Sequence, residues 1–171
     1  MPYSNLTIET ERLIIRPFTL ADIEPSYTMN LDANVSKYTA DGGVVSKQEI
    51  ERRITENVFG DYKKHGYGRL AVELKGENKF IGFTGLKYLE DLKEVDLGYR
   101  FMQPYWGKGI ATEAGKACLE LGFNSLGLTK IIAMALPENK NSIGVLEKLN
   151  FKFEKEIMEG NQLARLYSVY K

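Results

Sequence analysis

The sequence contains one cysteine and one histidine among its 171 residues, which leaves little material for thiol or metal chemistry. The single Cys118 excludes an internal disulfide and any site built from several thiolates. Net charge is also absent, because 23 Lys and Arg balance 23 Asp and Glu. Nucleic-acid binding relies on an excess of cations that neutralise phosphates. These absences argue against a disulfide-rich protein, a cysteine metal site and a nucleic-acid partner.

Long apolar runs are missing too. The longest, residues 131–136, is far shorter than a membrane span. No basic and then apolar leader stands at the N-terminus, so we expect a cytoplasmic protein without a membrane partner. The composition is otherwise ordinary, with 43% hydrophobic residues, and this length favours one domain over residues 1–171.

Hydrophobic periodicity predicts a chain of alternating strands and helices. The predicted strands cover residues 11–18, 68–74, 79–88, 94–102, 130–136, 151–158 and 163–170. The predicted helices cover 20–31 (irregular around Pro25), 47–64, 110–124 and 141–149. A helix between strands 94–102 and 130–136 favours parallel pairing, whereas the other strands follow short turns. We therefore expect a mixed, mostly antiparallel α/β sheet with one parallel central pair.

The string Gln103–Ala114, QPYWGKGIATEA, joins a predicted strand to a predicted helix. Gly107 and Gly109 permit close approach of a ligand, and the unpaired N–H groups of a helix start attract phosphate. Two familiar phosphate loops do not fit. A P-loop needs its first glycine where Met102 stands, and a dinucleotide fingerprint needs a third glycine where Thr112 stands.

Three strings in the same order resemble one enzyme family. They are Thr10–Pro17 (TERLIIRP), Tyr105–Ala114 (YWGKGIATEA) and Pro137–Phe151 (PENKNSIGVLEKLNF). Together they resemble the GNAT superfamily of acyl-CoA-dependent N-acyltransferases, and more narrowly its Rim-type branch of ribosomal-protein N-terminal acetyltransferases. The resemblance covers nearly the whole chain, although Asn150 stands where glycine is commoner.

The resemblance implies acetyl-CoA as the co-substrate, no metal, and a splayed parallel strand pair. Backbone amides of the glycine loop would hold the CoA pyrophosphate, and the strand ends would hold the pantetheine arm. By position these are Gly107, Lys108, Gly109, Ala111 and Thr112 for the pyrophosphate, and Phe101, Met102 and Asn139 for the arm. Trp106 replaces the family's usual Arg or Gln, and we interpret it as a ring packed under the loop.

The resemblance also suggests catalytic residues. Many members carry a proton-donating tyrosine where Leu146 stands here, but the Rim-type branch is proposed to use a serine, by position Ser142. We therefore predict that Ser142 stabilises the leaving thiolate; its alternative role is to satisfy backbone groups at a helix start. Asp96 is the predicted general base, with Glu94 as the alternative. Asp96 could also be an ordinary strand carboxylate.

The reaction predicted is direct attack of an amine on acetyl-CoA within a ternary complex. At pH 7, deprotonation costs about 1 kcal/mol for an α-amine but about 4–5 kcal/mol for lysine. With no obvious strong base, the site favours a protein N-terminal α-amine. A small amine (an amino acid, a polyamine or an antibiotic), a non-catalytic CoA-binding module and a structural partner-binding domain remain alternatives.

Two further expectations concern surfaces. The acceptor cleft should be lined by residues 27–45 and the helix to Lys64, where Asp32, Asp41 and Glu49 are available to attract a cation. The terminal hairpin leaves a strand edge to cover, so a homodimer is possible.

Overall fold

The computed structural model describes residues 3–171 and contains one eight-stranded sheet in the order β1-β2-β3-β4-β5-β6-β8-β7. The strands are β1 Ile8–Glu9, β2 Leu13–Pro17, β3 Arg69–Leu74, β4 Lys79–Leu89, β5 Glu94–Phe101, β6 Lys130–Ala135, β7 Lys152–Glu159 and β8 Gln162–Tyr170. Among the strands of residues 3–171, only β5 and β6 pair in parallel. The predicted mixed, mostly antiparallel sheet is confirmed. The predicted domain 1–171 includes Met1 and Pro2, which lie outside the described residues.

In the described part of the chain six α-helices accompany the sheet: α1 Ile23–Leu31, α2 Ala33–Ser36, α3 Lys47–Arg52, α4 Phe59–His65, α5 Ile110–Glu120 and α6 Lys140–Lys148. A π-helical stretch, Arg53–Val58, joins α3 to α4, so the predicted helix 47–64 is one continuous helical run. The prediction of an irregular helix around Pro25 is wrong in part. Pro25 lies in the first turn of α1, where its missing N–H would have no helical partner in any case.

The splay between β5 and β6 is the feature of the fold that matters most for function. The two strands pair only at Asp96 and Ile132, and β5 then continues to Phe101 away from β6. Helix α5 packs on this region through the buried Ala114, Ala117 and Cys118. The gap therefore opens beside the start of α5, at the carboxyl ends of both parallel strands. Within residues 3–171 no helix is long and apolar enough to cross a membrane.

Candidate active site

The glycine loop lies where the sequence places it, between the end of β5 and the start of α5. Gly107 and Gly109 have φ of 70° and 75°, a left-handed conformation that favours glycine. The Glu113 N–H donates to the Gly109 carbonyl oxygen at 3.0 Å and is the first N–H bonded within the helix. The N–H groups of Ala111 and Thr112 precede it and have no backbone acceptor in the described chain. The loop therefore presents free amide donors and a helix start, which together attract phosphate.

Arg12 holds this loop from a distant part of the sequence. Its backbone N–H donates to Glu113 Oε1 at 3.0 Å, its Nε to Glu113 Oε2 at 2.7 Å, and its Nη1 to the Lys108 carbonyl oxygen at 2.7 Å. Partial burial opposes ionisation of Glu113, but these hydrogen bonds lower its pKa overall. Sequence reasoning missed this contact. The only signal in the sequence was that Arg12 and Glu113, which carry opposite charges, lie in two of the strings on which the family resemblance rests.

The strand end is already hydrogen-bonded within the protein. The Met102 N–H donates to the Ile81 carbonyl oxygen at 2.9 Å, and its carbonyl oxygen accepts from the Tyr105 N–H at 3.0 Å. The prediction that Met102 offers free backbone groups to pantetheine therefore does not fit this geometry. Because ladder bonds alternate in direction along an antiparallel strand, the N–H of Phe101 faces the splay instead and is the available donor.

Trp106 ties the loop to the strand. Its indole Nε1 donates to the Phe101 carbonyl oxygen at 2.8 Å, while 40% of the residue remains exposed. The prediction of a ring packed under the loop is thus only partly right. The hydrogen bond, more than burial, fixes the ring.

Ser142 and Asn139 lie at the start of α6, across the splay from β5. Asn139 Oδ1 accepts from the Ser142 N–H at 3.2 Å and caps the helix. Ser142 Oγ lies 2.9 Å from the hydroxyl oxygen of Tyr99 on β5, and the Tyr99 hydroxyl also lies 3.1 Å from the Ser142 carbonyl oxygen. Leu146 is only 1% exposed and belongs to the core. No pattern in the sequence predicts that Tyr99 would reach Ser142.

The predicted base Asp96 is buried and ion-paired. Its Oδ2 lies 2.6 Å from Nη2 of Arg69, whose Nη1 also donates to the Gly85 carbonyl oxygen. Gly98 leaves room for this guanidinium, since a Cβ there would lie 2.5 Å from it. Burial raises the pKa of Asp96, and the charge of Arg69 opposes the rise. Glu94, the alternative base, pairs with Lys130 at 2.9 Å.

The acidic residues expected in the acceptor cleft also have partners. Asp41 pairs with Arg53 at 3.0 Å and with Arg100 at 3.2 Å. Asp32 caps α2 by accepting from the Asn34 N–H. Glu49 is likewise taken up in ion pairs with the two arginines that follow it in its own helical run.

Glu159 is the carboxylate that sequence reasoning overlooked. It ends β7 at the hairpin tip, and a Cβ on the next residue, Gly160, would lie 4.0 Å from the Ala40 carbonyl oxygen. Burial raises the pKa of Glu159, and the negative charges of Asp96 and Asp41 raise it further. Within residues 3–171 its side chain forms no ion pair. The hairpin tip thus brings an unpaired carboxylate to the side of the sheet that holds Asp41 and Asp96.

Fold and site together define an α/β protein with a glycine loop, which presents unpaired backbone amides, beside a splayed parallel strand pair. The profile of the family described as Acetyltransferase (GNAT) domain matches residues 12–152. The chain belongs to this family and is an N-acetyltransferase. It is 33% identical over 160 residues to the uncharacterized N-acetyltransferase YnaD of Bacillus subtilis (strain 168), covering 91% of this chain and 90% of that protein.

Three further similarities show the breadth of the family. Spermidine N(1)-acetyltransferase of Escherichia coli (strain K12) is 26% identical over 148 residues, 84% of this chain and 75% of that protein. A GNAT-family acetyltransferase from Bacillus anthracis has a TM-score of 0.82 at 29% identity, covering 96% and 98% of the two chains. RimL, a ribosomal L7/L12 α-N-protein acetyltransferase in complex with coenzyme A, has a TM-score of 0.80 at 15% identity, covering 96% and 97%. The last shares the fold of this chain.

Proposed function

We propose that this chain transfers the acetyl group of acetyl-CoA to a protein N-terminal α-amine by direct attack in a ternary complex. The observation that carries the CoA part is the row of unpaired amides at the glycine loop, beside the splay of β5 and β6. The pyrophosphate would bind the amides of Gly107 to Thr112, which the chain holds in place through Arg12. The side-chain NH2 group of Asn139, whose Oδ1 already caps α6, would contact the pantetheine arm.

The chemistry uses groups that face the splay. The amine nitrogen attacks the thioester carbon, the carbonyl oxygen becomes an oxyanion, and the carbon–sulfur bond then breaks to release thiolate. The Phe101 N–H is the donor placed to stabilise the oxyanion, a kind of interaction worth about 3–4 kcal/mol in other enzymes. The Ser142 hydroxyl, near the helix start on the opposite wall, would donate to the thiolate.

The base assignment changes with the geometry. Asp96 forms a buried ion pair with Arg69, so we propose that its role is structural. We propose that Glu159 accepts the amine proton, directly or through a water. A carboxylate is a weak base even with a raised pKa. It suits an α-amine, whose deprotonation at pH 7 costs only about 1 kcal/mol, far better than a lysine.

A small amine is the second candidate acceptor, favoured by the similarity to the spermidine enzyme. The charges around the cleft weigh against a polycation. Asp41 and Asp96 are neutralised by arginines, and among the acidic residues considered there only Asp32 and Glu159 form no ion pair within the described chain; Asp32 accepts the Asn34 N–H instead. These two carboxylates carry less negative charge than a polyamine carries positive charge, whereas a single terminal ammonium group needs only one carboxylate.

Calorimetric titration with acetyl-CoA tests the loop. Wild-type protein should bind one equivalent, and Gly109→Val should bind at least about tenfold more weakly, because a β-branched residue is strained at positive φ and its side chain would block the amides. Gly127→Val is the matched control, since Gly127 has the same φ of 70° as Gly107 but lies outside the loop with open space around it. Equal binding by both variants would place the pyrophosphate elsewhere.

Acceptor peptides then separate the functions. We expect thiol release from acetyl-CoA with peptides bearing a free α-amine, and much less with the same peptides N-terminally blocked and carrying one lysine, or with spermidine. Preference for spermidine would favour the small-amine function. Saturable binding without turnover on any amine would identify a non-catalytic CoA-binding module, and no binding would leave only a structural role.

A further inference from the structure

We propose that Tyr99 is a positioning residue that turns the Ser142 hydroxyl toward the leaving sulfur of CoA. This inference rests on the proposed function. Its basis is the 2.9 Å contact between the two hydroxyl oxygens, which joins Tyr99 on β5 to Ser142 at the start of α6. The contact joins the two walls of the gap in which pantetheine would lie.

The Tyr99 ring is held by packing and has little freedom to point elsewhere. It lies against two apolar clusters at once, one containing Leu97 and Leu146 and the other containing Phe101 and Ile110. A phenol placed this way needs a hydrogen-bond partner. Within the described chain its hydroxyl is within hydrogen-bond distance only of the Oγ and the carbonyl oxygen of Ser142.

Two hydrogen-bond arrangements satisfy this geometry. In the first, Tyr99 donates to the Ser142 carbonyl oxygen and accepts the serine hydrogen, so both groups are satisfied without a ligand. In the second, Tyr99 donates to Ser142 Oγ, and the serine hydrogen points away. A thiolate forming beside Ser142 favours the second arrangement, because hydrogen bonds to an ionised acceptor are stronger than neutral ones.

Proton balance supports a positioning role and not proton donation by Tyr99. Burial raises the pKa of Tyr99 to about 12, although the hydrogen bond with Ser142 opposes part of the rise. An alkyl thiol has a pKa of about 8.5, so the phenol would not yield its proton to the thiolate. The attacking amine carries one proton more than the amide product. That proton leaves through the base and balances the CoA thiol formed, and both hydroxyl groups end the reaction as they began.

A double-mutant cycle tests the proposal: wild type, Tyr99→Phe, Ser142→Ala and the double variant. Tyr99→Phe keeps the packed ring, and we expect kcat to fall about tenfold, as for loss of one hydrogen bond near a charge. The KM for acetyl-CoA should change less than about twofold. Because Tyr99 acts through Ser142, the double variant should be no slower than Ser142→Ala alone.

Tyr167→Phe is the matched control, since Tyr167 is buried in the same core cluster as Leu97 and Leu146 and is not part of the site. It should leave kcat unchanged. Unchanged kcat in Tyr99→Phe, additive losses in the double variant, or a fall in kcat accompanied by an equal rise in KM would each overturn the positioning role.

The same assay separates this inference from the proposed function. Thiol release is followed with an α-amine peptide, with spermidine and with water as the acceptor. If wild type releases thiol with none of them, both the proposed function and the role of Tyr99 fall. If wild type is active and Tyr99→Phe matches it with every acceptor, the function stands and only this inference falls.

Discussion

At the scale of single residues, two carboxylates near the site differ in their ionic partners. Asp96 and Glu159 are both carboxylates whose pKa is raised by burial. Asp96 has Arg69 at 2.6 Å, whereas Glu159 has no ionic partner among residues 3–171. Removing one member of a buried ion pair leaves an uncompensated charge and typically costs about 3–5 kcal/mol. Removing an unpaired carboxylate carries no such penalty.

This contrast predicts opposite outcomes for two conservative substitutions. Asp96→Asn should lower the free energy of unfolding by about 3 kcal/mol, because Arg69 stays buried without its counter-ion. Glu159→Gln should leave the melting temperature nearly unchanged and lower kcat about 100-fold, as for loss of a general base. Thermal melts and steady-state rates on the same preparations check both. A stable, inactive Asp96→Asn together with an active Glu159→Gln would restore Asp96 as the base.

At the scale of elements, most of the architecture follows from sequence periodicity. Helix α5 and the strands around it could be predicted because each carries its own apolar pattern. The parallel pairing of β5 with β6 followed from the helix between them. The side-chain contacts of the site could not be predicted this way. Arg12 and Glu113 are 101 residues apart, and Tyr99 and Ser142 are 43 apart. Such contacts depend on the register of the sheet and on where helices cross it, which local patterns do not encode.

The link between Arg12, which directly precedes β2, and the start of α5 predicts a further effect on CoA binding. Arg12→Ala removes the side-chain donors that hold Glu113 and the Lys108 carbonyl oxygen, so the glycine loop loses a restraint. We expect the Kd for acetyl-CoA to rise about tenfold, as for hydrogen bonds to a charged group worth about 1.5 kcal/mol. The kcat at saturating acetyl-CoA should change little. Calorimetry and steady-state rates separate the two quantities.

Arg52→Ala is the control for this prediction. Arg52 is an exposed arginine in an ion pair with Glu49 on α3, in a part of the chain that does not contact the loop. Its removal should leave the Kd for acetyl-CoA unchanged. If Arg12→Ala also binds acetyl-CoA as tightly as wild type, the loop keeps its conformation without the hydrogen bonds of the Arg12 side chain.

At the scale of the whole molecule, the outer strand β7 limits how the chain can associate. It carries Lys152, Lys155 and several glutamates, and its pairing with β8 shifts register between Phe153 and Lys155. Charges and bulges on an edge strand discourage pairing with another chain. The homodimer suggested by the sequence therefore stays a prediction, and β7 is a poor candidate for its interface.

The helical layer and the sheet are joined through Asp41, and this link predicts how stability depends on pH. Asp41 contacts Arg53 of the helical run and Arg100 of β5. Burial opposes ionisation of Asp41, but the charges of Arg100 and Arg53 and a hydrogen bond from Thr39 lower its pKa below the usual 3.8. A carboxylate with a lowered pKa in the folded state stabilises the protein above pH 3.8, and this stabilisation is lost as pH falls through the folded-state pKa.

Asp41→Asn should therefore melt about 2 °C below wild type at pH 6, since a partly exposed pair contributes up to about 1 kcal/mol. The two melting temperatures should converge as the pH is lowered below 3.8. A difference that persists at pH 2.5 would show that Asp41 acts through packing and hydrogen bonding, and not through its charge.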